Sequence, residues 1–300
     1  MTAELFQQIE QQGGVADLST RCRFKLSGAD RVRYLNGQVT NDVRRANSTS
    51  ALRALVTDVK ARIIADIFIH ATDDALYFDA EGEAQEMLFA RLERYIIADD
   101  AVLEDVTAQW QQWHVFGPAA ERHRGSPAAL DCTRLAMPGV DLWIPVGEAA
   151  PVFEATTVST DDFETLRIVH GVPRYPNELN QDAFPAEAGL EESAVSFTKG
   201  CYIGQEIISR IKTTGKMPRT LVSWTAEDDA SPTLGMELAL PESPEKTIGI
   251  ITSVAVHPVS GRSSGLAFIR LGSAEVDSRL LARGEPPTLA ATVKLSGTAS

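Results

Sequence analysis

Residues 199–206 read Lys199-Gly200-Cys201-Tyr202-Ile203-Gly204-Gln205-Glu206, with Arg210 close behind. An ordinary core segment does not gather a cysteine, a lysine, a glutamate and two glycines in so short a run. Glycine lets backbone approach a ligand closely. A neighbouring ammonium favours thiolate, the reactive form of cysteine. The stretch is expected to face a pocket and to handle a ligand with polar and flat apolar parts. From Gly204 onward a helix is expected through Ile207, Ile208 and Ile211, which sets Glu206 and Arg210 four apart on one face. Those two form either an exposed ion pair of about 0.3–0.5 kcal/mol or an acceptor–donor pair that reads a heterocycle, with early backbone N–H groups adding anion affinity. Cys201 is either a structural thiol or an accessible thiolate acting as nucleophile, redox group or transient metal ligand. Cys22 and Cys132 read as buried structural thiols.

Working outward, Lys199 to Arg219 holds five bases against the single acid Glu206, in a chain of net charge -13. The overall charge opposes nucleic acid and anionic lipid as general partners. The basic strip is either a solvated surface or a local anion site. Three widely spaced cysteines, none in a CxxC pair, exclude a disulfide framework and a cysteine zinc site. They also make a poor permanent cage for an iron–sulfur cluster, which usually takes four. The five histidines lack metal-ligand spacing, so no metal site is expected. A polar N-terminus without a basic or apolar leader pattern, and the lack of a long apolar run, point to a cytoplasmic protein.

The first part of the chain reads as α+β. Phe24 to Leu26 is strand-like, and Gly28-Ala29-Asp30 opens a helix with Val32, Leu35 and Val39 on one side. Arg62 to His70 is a strand that forms a hairpin with Leu76 to Ala80. A helix is expected over Glu83 to Ala98, irregular chain over Gly117 to Gly139, and a second helix from Thr160 to near Gly171. Tyr175 to Ser196 reads as a long loop, of a length that is often functional. After Pro218 the strands Leu221–Ala226, Lys246–Val256, Gly265–Arg270 and Ala290–Leu295 suggest a small antiparallel barrel or sandwich, with fraying after Leu295. The expected division is 1–218 and 219–300. Within the strand of residues 62–70, Asp66 shares a side with Ile64 and Phe68, opposite Ala65. It sits either at an exposed sheet edge or in a pocket.

The segment KGCYIGQE resembles the signature of the YgfZ-type folate-binding proteins, relatives of the aminomethyltransferase (T-protein) of the glycine cleavage system. SGADRVRYLNGQVTNDV (27–43), KARIIADIFI (60–69), LRIVHGVPRYPNEL (166–179), FPAEAGLE (184–191) and GIITSVAVHP (249–258) agree with that family in order. The resemblance implies an aminomethyltransferase-like ring of small domains around a folate pocket, followed by a C-terminal antiparallel β-barrel. It implies that Cys201, with Lys199 and Tyr202 beside it, is the functional cysteine motif. It places Asp66, Tyr175, Tyr202, Gln205, Glu206 and Arg210 at a tetrahydrofolate site. It further implies iron–sulfur enzymes or assembly proteins as partners, and indirect support of tRNA modification. The alternative is a folate-dependent aminomethyltransferase. Against that stand Val169, where those enzymes carry a glutamate, and Ala65-Asp66, where they carry paired acids. The family's Lys-Gly-Arg stands here as Lys60-Ala61-Arg62.

Overall fold

The computed structural model describes residues 1–227, 231–283 and 289–298, the last stretch by backbone alone. A first five-stranded sheet has the order Leu52–Thr57, Ile63–Ala71, Ala75–Ala80, Cys22–Ser27, Val102–Asp105. The strand Ile63–Ala71 is buried on both faces, because its β-branched and aromatic residues meet packed chain on either side. Its odd-numbered residues Ile63, Ala65, Ile67 and Ile69 enter the main apolar core, which the helices Arg31–Gln38 and Gln85–Glu93 join through Leu35, Leu88 and Leu92. Asp66 is therefore not at a sheet edge. It lies on an inner strand and points to the opposite face.

A second five-stranded sheet runs Thr156–Val158, Gly14–Asp17, Trp110–Phe116, Gly139–Pro145, Ala129–Cys132. It corrects the expectation of irregular chain over Gly117 to Gly139, part of which builds its edge. The two sheets meet through an unusually polar contact. Buried Arg134 donates to Asp79 of the first sheet at 2.8 Å and to Asp141 of the second at 2.6 Å. Arg21 adds a further bond to Asp79, and His114 Nδ1 lies 2.8 Å from Asp141. Beside this network an aromatic cluster bridges the sheets: His70 stacks on Tyr77 at 5.4 Å and meets Trp143 edge-on at 4.8 Å.

The helix Thr160–Val169 starts at Ser159, whose hydroxyl accepts from Asp162 N–H, so the cap lies one residue before the expected one. In the C-terminal part six antiparallel strands, Arg219–Ala226, Ser263–Arg270, Ser243–Val256, Glu237–Leu240, Arg279–Arg283 and Leu289–Thr298, pair in a circuit that closes on itself. Leu295–Thr298 is thus strand; residues 299–300 of the expected frayed end lie outside the described ones. The six strands dock on the first core through Leu221, Leu266 and Phe268. They are also tied to the 160–179 segment, where Ser253 receives a bond from Arg167 and donates to Glu178.

Candidate functional site

Where the two sheets, the helix Thr160–Val169 and the segment after it converge, they enclose a cavity of about 810 Å³, open mouth included. Asp66, Phe68, Arg53 and Tyr175 line it, with Arg134 and Glu81. The register explains the first three. Arg53 lies directly across from Phe68, and Asp66 is the diagonal neighbour on the same face. The Arg53 guanidinium grips Asp66 in a fork, Nε to Oδ1 at 3.0 Å and Nη2 to Oδ2 at 2.8 Å. Phe68 carries guanidinium groups around its ring, Arg134 at 4.0 Å and Arg53 at 5.5 Å from the centroid. Arg174 bridges the mouth, donating to Glu81 at 2.9 Å and to Glu164 at 3.2 Å. Arg53, Phe68, Arg134 and Val172 also line a neighbouring concavity of about 1160 Å³.

Asp66 and Tyr175 are the two expected site residues that the fold brings together here. Ala65 faces the core, so the acid retained from the paired-acid pattern is the one on the cavity side. Arg53, Phe68, Arg134, Glu81 and Arg174 escaped the sequence reading. The available signal was the alternation of Asp66 and Phe68 on one face of a strand that is otherwise apolar.

The octapeptide lies elsewhere, and this corrects the expectation of one shared pocket. Lys199, Cys201, Tyr202, Gln205, Glu206 and Arg210 line neither concavity around Phe68. The reason is local. Gly204 caps the helix Gln205–Thr214 in the left-handed conformation at φ 87° and packs on the turn at Thr57–Ala61, beyond the end of the sheet. A side-chain carbon there would stand 2.8 Å from Thr57 Oγ1 and 2.9 Å from Asp58 O, so only glycine fits. Thr57 Oγ1 donates to Ile203 O at 2.7 Å, and Ile203 N–H to Gly37 O at 3.2 Å. Opposite this contact, Ala61 takes a left-handed φ of 61°, a conformation that favours glycine.

Lys199 is not arranged to activate the thiol. Its ammonium donates to Asn36 O at 2.6 Å, Val39 O at 2.8 Å and Asn41 O at 2.7 Å. An ammonium has three N–H donors, so all are occupied by backbone. Burial pushes its pKa down to about 7, while the carbonyls favour the protonated form. Tyr202 is buried against Ala61, Val195 and Ile208. Cys201 itself is exposed, whereas Cys22 and Cys132 are buried. Burial pushes the Cys22 thiol up to about 12 and Cys132 well above its ordinary value. Glu206 and Arg210 do not pair with each other; they flank a separate depression with Tyr202 and Gln205. Among the described residues no group of three or more His, Cys, Asp and Glu side chains is arranged to hold a metal ion, and no helix is long and apolar enough to cross a membrane.

Residues 1–138 match the GCVT N-terminal domain. Over 98% of its length the chain superposes on the glycine cleavage system aminomethyltransferase T from Bartonella henselae, covering 88% of that chain with a TM-score of 0.83 at 14% identity. The chain thus shares the aminomethyltransferase fold, and its first 138 residues are similar to the GCVT N-terminal domain. By sequence the chain is similar to the mitochondrial iron–sulfur cluster assembly factor IBA57 homologue of Phaeosphaeria nodorum, 27% identical over 70% of this chain and 54% of that protein. Thus the chain spans about half of that relative. The counterpart in Pyricularia oryzae is 28% identical over 91% of this chain and 75% of its own length. An aminomethyltransferase of Thermoanaerobacter is 20% identical over 91% of this chain and 82% of its own length.

Proposed function

We propose that this protein is an iron–sulfur cluster assembly factor that handles its cargo through Cys201 and holds a folate in the cavity around Asp66. The observation that carries the reading is the contrast among the cysteines: two are sealed in the interior, and the third stands exposed on a loop stitched to the fold from both sides. The names of the two fungal relatives support the same role. A single thiolate cannot cage a cluster, which takes four ligands. It supplies one ligand during transfer, and the donor or acceptor protein supplies the others.

The cavity suits a folate in its donor set. Its enclosed part measures only about 80 Å³, below the roughly 300–1,000 Å³ of ligand pockets, so a bound folate would extend through the open mouth. Each Asp66 oxygen accepts one Arg53 N–H and keeps a second lone pair, enough to accept from the amide and amino groups of a pterin edge. Tyr175 lines the same wall. Bound there, tetrahydrofolate would supply a one-carbon carrier or a reductant. The protein's own residues bind and orient it.

The two halves of the proposal are tested separately. Tetrahydrofolate is titrated into wild type and Asp66→Asn. Saturable binding by wild type, weakened roughly tenfold in the variant, is expected; no saturable binding by wild type removes folate. A strain lacking the protein is complemented with Cys201→Ser. Restoration of iron–sulfur enzyme activity to the wild-type level would remove the thiol from the mechanism.

A further inference from the structure

The larger concavity beside Phe68 takes no part in either proposed role. Its enclosed part measures about 510 Å³, inside the roughly 300–1,000 Å³ of small-molecule sites. It shares Arg53, Phe68, Arg134 and Val172 with the Asp66 cavity, so the two back onto one another across the Phe68 ring. Its remaining charged lining residues are Arg124 and Asp131. Three guanidinium groups therefore face it against one carboxylate, in a chain of net charge -13. The acids that pair with Arg53 and Arg134 stand outside it: Asp66 lines the smaller cavity, and Asp79 and Asp141 line neither.

The three groups are only partly occupied, since a guanidinium has five N–H donors. Arg134 engages Asp79 and Asp141 through Nε and Nη2. Arg53 engages Asp66 through the same two atoms, and Arg124 engages Glu121 and Asp131 through Nε and Nη1. That leaves one terminal nitrogen on each without a bond to any described residue, and none of these is sealed from solvent. The Arg134 side chain is only 5% exposed, so its spare nitrogen opens into the concavities it lines. The Asp66 cavity encloses about 80 Å³. The room for a ligand on these donors is therefore on the other side, where Leu52, Phe68, Pro138 and Val172 add apolar wall.

We infer that this concavity binds a compact organic anion of its own, a carboxylate or phosphate carried on a flat apolar body. The anionic group takes the spare N–H donors of Arg53 and Arg134, whose guanidinium groups are held against the Phe68 ring. The body lies on the apolar wall, and Arg124 adds its charge from a more exposed position. A cation is repelled by the same three groups, and a neutral ligand leaves the donors unpaired.

The test is titration of the full chain, followed by calorimetry and NMR, with phenyl phosphate, phenylacetate and benzyl alcohol, which has the same body without charge. Saturable binding of one or both anions is expected, and the tighter of the two identifies the source. Benzyl alcohol should bind at least roughly tenfold more weakly. Arg124→Gln should weaken the anions roughly tenfold with little change in melting temperature, because its ion pairs are partly exposed. Asp66→Asn should bind them at least as tightly as wild type, since it removes a neighbouring negative charge. Each of the following overturns the assignment: no saturable binding of either anion, equal binding of benzyl alcohol, unchanged affinity in Arg124→Gln, or loss of binding in Asp66→Asn. Strict competition between phenyl phosphate and tetrahydrofolate also overturns it, by giving the concavity to the folate. Tetrahydrofolate titration alone and Cys201→Ser complementation are read independently, so failure of the anions to bind leaves the proposed function standing.

Discussion

Replacing Lys199 with methionine separates two meanings of a lysine beside a cysteine. In the structure the ammonium ties the octapeptide to the 36–41 segment through three carbonyls. Hydrogen bonds from a charged donor contribute about 1.5–3 kcal/mol each, and stranding buried acceptors carries its own penalty. Against this stands the cost of burying the charge, expressed in a pKa pushed down to about 7 by burial. The full depression from the ordinary lysine value corresponds to at most about 5 kcal/mol. Lys199→Met therefore has an expected net loss on the order of 3 kcal/mol, measured by urea denaturation at neutral pH. The pH dependence has a definite sign. The folded-state pKa lies below the unfolded one, so the unfolded chain binds more protons between pH about 7 and about 10.5. Wild-type stability gains from this group as pH rises through that window, and the gap to Lys199→Met widens. Alkylation of Cys201 by iodoacetamide supplies the contrasting readout. If the variant stays within about 0.5 kcal/mol of wild type while alkylation slows severalfold, the lysine serves the thiolate and the anchoring argument is wrong.

Other perturbations follow from the same geometry. His70, stacked on Tyr77, has its pKa pushed down to about 4 by burial. Its contribution to stability is thus lost as pH falls from about 6.5 to about 4, by up to about 3 kcal/mol; His70→Phe should flatten that limb of a urea-midpoint profile. Arg134→Met leaves Asp79 and Asp141 without the cation that joins the two sheets, and chemical denaturation should show a loss of about 3–5 kcal/mol. Gly204→Ala forces a side chain into backbone at a φ of 87°, so a loss of at least about 2 kcal/mol and faster Cys201 alkylation are expected.

The legible parts of the fold were those with one clean pattern. The helices Thr160–Val169 and Gln205–Thr214 show it in their apolar spacing, whereas the strand Ile63–Ala71 and its hairpin partner are legible as β-branched and aromatic runs. The second sheet was hidden because its contact with the first is polar. In Trp110–Phe116 the buried positions include Gln112 and His114, so the strand shows no alternation of apolar and polar residues. The helix expected over Glu83 to Ala98 ends at Glu93, because the chain must turn to bring Asp100 to Asp30 and Val102 beside Ser27. The strands Glu237–Leu240 and Arg279–Arg283 are too short to show a period. At the cavity, Asp66 could be read as a polar intruder. Its partner Arg53 could not, since the two are joined only by the register of neighbouring strands.

That register also bears on how the two sites relate. The strand Leu52–Thr57 carries Arg53 at one end, gripping Asp66 in the cavity, and Thr57 at the other, holding Ile203 in the cysteine loop. Four residues of extended chain span about 13 Å, and Ala54, Leu55 and Val56 between them are fully buried. A strand packed in this way does not slide or twist to relay a small change. Occupation of the cavity therefore leaves the Cys201 loop where it is unless it breaks the Arg53–Asp66 fork. A ligand that accepts the remaining lone pairs of Asp66 does not need to break it. Under the proposed function, folate affinity and thiol reactivity are therefore expected to be independent quantities, and each must be lost separately before either role is assigned to the other's residues.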